Sequence, residues 1–371
     1  MSTTPSSGRE LALPRTFVLE VTRRCNHRCR YCYASWVSHT RQGGDTEDEV
    51  PLRRLVDIVA RLREQTPIEN LALSGGEPLL RNDMPELVAY IEKLGVNVVV
   101  ITNGSSIGPE LISRLGEAMF EVTLLSYRPE VHDRLAGCTG SWEAAVQGMA
   151  HLRKARRAFV VVFVATKENW LDLPKTVELA IALGAEGLMF NRLNLGSRTV
   201  HQARSLLPTP PMLVESLGTL EDLAGKYGLP VAASVVIEPC VVDIRRYRNI
   251  HFGWCPRAGE EAYFTIDGEG DVRICNHSPV VLGNLLREPF STIYRDHPHV
   301  RAYRETWPRE CESCAPELRE LCRGGCRAAA EQCLGTLEHV DPFVTFSLDG
   351  GIDAADGTPR RKYVGTPSTT S

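Results

Sequence analysis

Six apolar runs, each rich in β-branched residues, alternate with helical segments through the first half of the chain, and this alternation restricts the possible folds most. The runs are residues 17–22, 70–74, 96–102, 121–126, 158–166 and 186–193. After the first run, five apolar residues from Leu52 to Leu62 share one face of a helix. Strands that alternate with helices form parallel sheets. We therefore predict an α/β fold, a partial (β/α)6 TIM-like barrel, for residues 15–205.

The predicted strands all end in polar or reactive residues. In chain order these are Cys25, Cys29 and Cys32, then residues 74–78, 102–104, 126–128 and 167–169, and last Asn191 with Arg192. In (β/α) barrels, active sites form at the carboxyl ends of the strands. The sequence thus predicts a catalytic edge there, with Tyr127, Arg128, Asn191 and Arg192 as candidates for a substrate pocket.

Charge and hydropathy exclude several classes of partner. The formal charge of -4 gives no general attraction to nucleic acid or to a membrane surface. No run of about 18 apolar residues is present that could cross a bilayer, and residues 1–10 lack the apolar core of a secretion signal. We expect a cytoplasmic protein without nucleic-acid or membrane partners, in which cysteines stay reduced. Ten of the 12 cysteines lie in two groups, at 25–32 and 255–333, and point to metal or redox chemistry, whereas Cys138 and Cys240 stand apart as buried small residues or free thiols.

The cysteines after the first strand form an unusual triplet. Thiolates select zinc, copper(I) or iron–sulfur clusters. A closed zinc site needs a fourth ligand, for which His39 is available and His27 lies too close in sequence. A cubane iron–sulfur cluster normally takes four thiolates. Three thiolates leave one iron open, so the triplet predicts a site that binds a further ligand.

The spacing Cys25-x3-Cys29-x2-Cys32, with Tyr31 before the last cysteine, resembles the signature loop of the radical S-adenosylmethionine (radical SAM) superfamily. The resemblance is strengthened by Gly75-Gly76-Glu77-Pro78 after the second strand. It implies that the open iron of a [4Fe–4S] cluster chelates the amino and carboxylate groups of S-adenosylmethionine. Reduction, by a protein such as flavodoxin or ferredoxin, then yields a 5′-deoxyadenosyl radical that abstracts a substrate hydrogen.

The same resemblance implies a set of cofactor-binding residues. They are Tyr31, Gly75, Gly76, Glu77, Pro78, Asn103, Ser126 and Asn169. Gly75, Gly76 and Glu77 are expected to face the amino group of the methionine part, and the three residues from the later strand ends its carboxylate or the ribose. The segment after the fourth strand departs from the pattern, because Ala136 stands where many relatives have arginine. No catalytic acid or base is evident.

A second group of seven cysteines lies between residues 255 and 333. Four of them, Cys311, Cys314, Cys322 and Cys326, have spacings that also allow a zinc ribbon. The whole order resembles the SPASM extension of peptide-modifying radical enzymes, although its third gap has seven residues where the family has five. The resemblance implies two auxiliary [4Fe–4S] clusters, an outer one on Cys311, Cys314, Cys322 and Cys333 and an inner one on Cys255, Cys275 and Cys326. The inner cluster either keeps an open iron or recruits Cys240, Glu260 or Glu261.

These features divide the chain and indicate its activity. We expect a flexible N-terminus (1–14), the radical SAM barrel (15–205), a bridging region (206–254), a cysteine-rich SPASM domain (255–335) and a polar tail (336–371). The expected substrate is a ribosomally made precursor peptide, which becomes crosslinked or oxidised. Because about 14 residues precede the first strand, a peptide-recognition domain is expected on a separate chain. The alternatives are oxidative maturation of a small molecule or tetrapyrrole cofactor, and a non-enzymatic, zinc-stabilised binding or electron-transfer module.

Overall fold

The computed structural model describes residues 12–34, 37–39, 49–255, 259–312 and 314–349. Most of the predicted flexible N-terminus (1–11) and the end of the predicted tail (350–371) lie outside the described residues, and so does the side chain of His39. The main sheet contains β1 Thr16–Thr22, β2 Asn70–Gly75, β3 Asn97–Thr102, β4 Met119–Thr123, β5 Phe159–Ala165, β6 Gly187–Arg192, β7 Val231–Ala233, β8 Ile250–Phe252, β9 Tyr263–Asp267, β10 Asp271–Arg273 and β11 Val281–Asn284.

The strand order confirms the predicted partial barrel. The order is β8-β7-β6-β5-β4-β3-β2-β1-β9-β10-β11. Pairing is parallel from β8 through β1 to β9, and only the last two pairs are antiparallel. Parallel neighbours joined by helices put every carboxyl end on one edge. The described sheet keeps two free edges, at β8 and β11, so the barrel stays open.

Helices cover the outside of this sheet. They are α1 Leu52–Gln65, α2 Met84–Lys93, α3 Pro109–Arg114, α4 Pro129–Ala136, α5 Ser141–Lys154, α6 Leu173–Leu183, α7 Ala203–Leu206, α8 Pro210–Tyr227, α9 Phe290–Asp296, α10 Pro298–Glu305, α11 Pro316–Cys322, α12 Arg327–Leu334 and α13 Pro342–Asp349. Several follow the predicted apolar periodicity: α1 buries Leu55, Ile58, Val59 and Leu62 against the core. Gly184 ends α6 in the left-handed conformation, with φ 91°, which explains the predicted glycine stop. No helix in the described ranges is long and apolar enough to cross a membrane.

Beyond the six predicted strands, the predictions hold in part. The hairpin predicted for 263–275 is present as β9 and β10, which pair antiparallel around a turn at 267–270. The strand predicted for 231–238 stops at Ala233, because the Asn191 side chain accepts hydrogen bonds from Ser234 and Val235 N–H groups, both at 3.1 Å. Backbone pairing in β7 therefore ends where the Asn191 side chain takes the place of a backbone acceptor.

The tail predicted from residue 336 is wrong for its first part. Residues 342–349 form α13, and Val340, Asp341, Phe343 and Val344 are buried. The sequence around them is short and mixed in polarity, so it shows no periodicity that would separate a packed helix from a polar tail. The physical reason for the order is a buried ion pair between Asp341 and Arg192 at the end of β6.

Candidate active site

A cavity of about 640 Å³ opens at the carboxyl edge of the strands. Its wall includes all three cysteines of the triplet, and also Tyr31, Gly75, Gly76, Glu77 and Asn103. Asn191 and Arg192 from β6 line it too, whereas Tyr127 and Arg128 do not. The strand ends thus bring together most of the residues singled out from the sequence, as parallel topology requires.

The loop that carries the triplet rests on the C-terminal end of α4. The N–H groups of Arg28 and Arg30 donate to the carbonyls of Ala136 and Leu135, at 3.1 and 2.9 Å. Gly137, at φ 63°, lies so close to Arg28 that a Cβ there would be 2.4 Å from its carbonyl oxygen. The segment 132–137, which departs from the expected pattern, therefore supports the cysteine loop through backbone contacts.

The three thiols suit an iron–sulfur cluster. Burial raises the pKa of Cys25 to about 12 and also raises the pKa values of Cys29 and Cys32. Thiolates this far from water require cationic partners, which the irons of a cluster supply. Within the described ranges, no three histidine, cysteine, aspartate or glutamate side chains converge on a point that fits one metal ion.

Glycine at positions 75 and 76 is required by the backbone of the same loop. Gly75 has φ 129°, and a Cβ on it would lie 2.2 Å from the Thr22 carbonyl oxygen. The Gly76 N–H donates to that oxygen at 2.9 Å, and the Glu77 N–H donates to the Arg24 carbonyl at 2.8 Å. The glycines therefore fasten this segment to the chain that leads into Cys25, and they also line the cavity.

Gly76→Ala is expected to lower the free energy of unfolding by about 3 kcal/mol or more, at the upper end of overpacking effects. An alanine Cβ would lie 2.0 Å from the Arg24 carbonyl oxygen, which is backbone and cannot turn away. Gly218→Ala in α8 is the matched control, because nothing lies within 4 Å of its added Cβ. Anaerobic urea unfolding of both variants checks this; equal midpoints would contradict it.

Glu77 is a buried carboxylate with hydrogen bonds but no cationic partner. Its Oε1 accepts from Thr102 Oγ1 at 2.7 Å and from Leu79 N at 3.1 Å, and its Oε2 accepts from Asn103 N at 2.7 Å. Burial raises its pKa to about 7. No lysine, arginine or histidine in the described residues forms an ion pair with it. A ligand ammonium would supply the countercharge that this carboxylate lacks among the described residues.

The other predicted cofactor contacts divide into two groups. Asn103 lines the cavity, and its Nδ2 donates to Asn26 Oδ1 at 2.9 Å. Ser126 and Asn169 are fully buried and lie off the cavity wall. Asn169 uses both ends of its amide within the fold, with Nδ2 donating to two carbonyls and Oδ1 accepting from Thr166. Pro78 is buried at the start of a 3-10 turn. Asn103 therefore lies on the cavity wall, whereas the cofactor roles of Ser126, Asn169 and Pro78 stay predictions.

The second cysteine group divides into thiols that line the cavity and thiols that do not. Cys255, Cys275 and Cys326 line the cavity, as the triplet does. Cys311, Cys314, Cys322 and Cys333 are not part of its wall. Glu260 pairs with Arg15 instead, with Nε and Oε2 3.1 Å apart. The structure thus brings the predicted inner ligands, and not the outer ones, to the cavity.

The sequence analysis missed the ion pairs of Arg192 and the cavity residue Glu121. Arg192 lines the cavity as expected, but it is fully buried and paired with Glu238 and Asp341. Glu121, in the middle of β4, lines the cavity and has no hydrogen bond or ion pair to another described residue. An acidic residue inside a strand, in register with Ile101 and Val160, was the available signal for Glu121.

Comparison with known sequences identifies the core of the chain. Residues 19–180 match the radical SAM superfamily. The chain belongs to this superfamily. Residues 255–315 match SPASM, an iron–sulfur cluster-binding domain. The protein is therefore a radical SAM/SPASM enzyme whose cofactors are S-adenosylmethionine and [4Fe–4S] clusters, and the non-enzymatic zinc module is not supported.

Curated relatives include enzymes of two kinds. An AdoMet-dependent heme synthase of Methanosarcina barkeri is 27% identical, over 90% of this chain and 97% of its own length. A PqqA peptide cyclase of Streptomyces rochei is 28% identical, over 92% of each chain. A second PqqA peptide cyclase, from Granulibacter bethesdensis, is 25% identical over 90% of this chain and 88% of its own.

Solved structures share the fold at low identity. Streptococcus suis SuiB bound to its precursor peptide SuiA superposes with a TM-score of 0.69 at 14% identity, over 89% of this chain and 75% of SuiB. The anSMEcpe structure with AdoMet and the Cp18Cys peptide gives 0.66 at 16% identity, over 90% and 94%. These likenesses confirm the radical SAM/SPASM architecture.

Proposed function

We propose that this enzyme modifies a peptide in the cavity between its two cysteine groups. One observation carries the proposal. Cys25, Cys29 and Cys32 line the same cavity, of about 640 Å³, as Cys255, Cys275 and Cys326. With cluster and S-adenosylmethionine bound, reductive cleavage of the sulfonium supplies a 5′-deoxyadenosyl radical that removes a hydrogen atom from the substrate. Because Cys255, Cys275 and Cys326 line the same cavity, a cluster held by them would be placed to accept an electron from the substrate or to deliver one to it.

The residues around the triplet orient the cofactor. We assign Glu77 to the ammonium group of S-adenosylmethionine, because its carboxylate is buried without a cation. The backbone of Gly75 and Gly76 forms the adjoining wall, and Asn103 is held beside it by Asn26 and Ser105. A fixed, dry set of contacts of this kind positions the reacting bond and keeps water from it.

The charges of the cavity favour a peptide over a tetrapyrrole. A tetrapyrrole carries carboxylates, which need cations in the pocket. Among the described lining residues, Arg192 is the one lysine or arginine, and it already faces two carboxylates. Three histidines also line the cavity, His27, His251 and His277. Burial lowers the pKa values of His27 and His277 to about 4, so these two are neutral at pH 7. Two of the three curated relatives named above are peptide cyclases, whereas the heme synthase keeps the tetrapyrrole as the alternative.

We assign Glu121 to a cationic group of the peptide, an amine or a guanidinium. Its side chain lies among Ile101, Thr123 and Val162 on the cavity wall, and burial raises its pKa. Glu121→Gln is expected to raise the peptide KM about tenfold to hundredfold, the loss of one charged hydrogen bond of about 1.5–3 kcal/mol. The binding of S-adenosylmethionine should change less than it does in Glu77→Gln. Steady-state kinetics with calorimetry separates the two; a peptide KM within twofold of wild type would contradict the assignment.

The test of the proposed function combines cofactor and product analysis. After anaerobic reconstitution, the enzyme receives dithionite, S-adenosylmethionine and candidate precursor peptides, and 5′-deoxyadenosine and peptide mass are measured. We expect 5′-deoxyadenosine together with a peptide mass loss of about two hydrogens, as for a crosslink or an oxidation. A variant with alanine at Cys25, Cys29 and Cys32 should produce neither. Turnover of a tetrapyrrole with no change in any peptide would overturn the peptide assignment and leave the radical chemistry intact.

Two partners complete the proposal. A flavodoxin- or ferredoxin-like reductant supplies the electron, and a separate peptide-recognition protein presents the substrate. Free thiols in this number suit the reducing conditions of the cytoplasm, where we place the enzyme.

A further inference from the structure

Cys240, which lies outside both cysteine groups in sequence, is held at the tip of a β-turn. The Val241 and Val242 N–H groups donate to the Glu238 carbonyl, at 2.8 and 3.0 Å. Pro239 occupies the second position of the turn, where proline is favoured, and Cys240 the third. The Cys240 side chain is exposed. The turn therefore fixes the backbone position of an exposed cysteine.

This turn packs against the loop between Cys322 and Cys326. Three consecutive residues of the loop, Arg323, Gly324 and Gly325, have positive φ values of 50°, 83° and 73°. A Cβ on Gly325 would lie 2.5 Å from Oε1 of Glu238, the residue that starts the turn. Positive φ at a non-glycine residue such as Arg323 is a strained conformation that persists only where the surroundings require it. The loop at 323–325 therefore packs closely against Glu238, the first residue of the turn that carries Cys240.

The turn that carries Cys311 and Cys314 lies close to the Cys240 turn. The Cys314 N–H donates to the Cys311 carbonyl at 3.1 Å, so the two cysteines belong to one turn. Glu310, the residue before Cys311, accepts a hydrogen bond from the Val340 N–H at 3.2 Å. The next residue, Asp341, shares Arg192 with Glu238, which starts the Cys240 turn. The segments that carry Cys240, Cys311 and Cys322 therefore meet around this buried ion-pair cluster.

Cys333 has different surroundings. It lies near the end of α12, and a rise of about 1.5 Å per residue puts it about 10 Å along the helix from Cys326. Its side chain packs against the hydrophobic core. Its neighbour Gln332 accepts from the Ser197 N–H and donates to the His277 carbonyl, so the end of α12 is bound to the loops at those two residues.

We propose that Cys240, and not Cys333, is the fourth ligand of the outer auxiliary cluster, together with Cys311, Cys314 and Cys322. Four thiolates then complete one cubane cluster. The inner group keeps Cys255, Cys275 and Cys326, three thiols that line the cavity, as the triplet does. Its fourth position is then left for a group from the cavity. The inference concerns the metal site and does not depend on the identity of the substrate.

Metal content distinguishes the two candidate ligands. The reconstituted wild-type chain is expected to hold about twelve irons, four for each of three clusters. Cys240→Ala should lose between about one and four irons, as should Cys311→Ala, which reports the loss of an outer ligand. Cys333→Ala should keep the wild-type iron and sulfide content. The reverse pattern, with loss in Cys333→Ala and none in Cys240→Ala, would overturn the proposal.

Thiol alkylation tests the same point in the wild-type chain, without a variant that fails to fold. Because Cys240 is exposed, iodoacetamide should modify it in the apoprotein. In the reconstituted enzyme, mass spectrometry should find Cys240 protected to the same extent as Cys311 and Cys322. Equal modification of Cys240 before and after reconstitution would show that it is not a ligand.

Discussion

Arg192→Met is expected to lower the free energy of unfolding by about 3–5 kcal/mol, the usual cost of leaving a buried charge without its partner. Arg192 is 0% exposed, and its Nη2 lies 3.3 Å from Glu238 and 2.5 Å from Asp341. Its Nε also donates to the Val236 carbonyl at 2.7 Å. Methionine fills similar space but leaves two carboxylates facing each other in a medium that cannot solvate them.

The measurement is anaerobic urea unfolding at pH 7. Arg245→Met is the control, because its pair with Asp243 is half-exposed and screened by water, so its loss should leave the unfolding midpoint nearly unchanged. Similar midpoints for the two variants would show that the buried cluster contributes no more than a surface pair. A chain ending at residue 335 removes Asp341 and Phe343 and should be destabilised at least as much as Arg192→Met. That result would distinguish a packed C-terminal segment from the polar tail that the sequence suggested.

Arg192 also shows where the sequence analysis reached its limit. The repeated strand and helix pattern predicted the barrel, and the barrel topology predicted the edge at which Arg192 would lie. Its role depends on Asp341, 149 positions away in sequence, whose own segment shows no clear pattern. Partners this distant are determined by tertiary packing, which residue spacing in one sequence does not report.

The partners of the predicted cofactor-binding side chains were also not evident from the sequence, although they are closer along the chain. Ser126 lies at the predicted strand end. Its Oγ donates to a carboxylate oxygen of Asp172 at 2.7 Å, in the short 3-10 turn that follows β5. Asn169 turns back to the carbonyls of Leu125 and Val164. Residue type and strand-end position do not report side-chain direction, so the cofactor roles of Ser126 and Asn169 stay predictions. Cysteine spacing is more informative, because the three cysteines within eight residues of one loop all line the cavity.

Glu77→Gln is expected to weaken the binding of S-adenosylmethionine about tenfold to hundredfold. The reason is the loss of one charged hydrogen bond, worth about 1.5–3 kcal/mol. The three protein donors to Glu77 are two backbone N–H groups and the Thr102 hydroxyl, none of them a cation. The ligand ammonium would be the missing countercharge. Anaerobic calorimetry of the reconstituted enzyme without reductant measures the Kd before any turnover.

The pH dependence gives this prediction a sign that a general loss of structure would not reproduce. Burial raises the pKa of Glu77 from 4.5 to about 7, so the folded chain holds a proton between these values that the unfolded chain has released. Stability from this group is full below pH 4.5 and is lost as the pH rises through 7, by roughly 3 kcal/mol. Binding of the ammonium requires the carboxylate, so the wild-type Kd should rise about tenfold per pH unit below 7.

Glu77→Gln has no such proton, and both dependences should disappear from it. The glutamine amide also loses one backbone hydrogen bond, so the absolute stability of the variant is a poor readout, whereas the difference in pH slope between the two chains isolates position 77. Asn103→Ala is a suitable companion, because it removes an uncharged cavity residue and should leave the pH slope in place. A Kd that varies with pH in the same way in wild type and Glu77→Gln would mean that another group receives the ammonium.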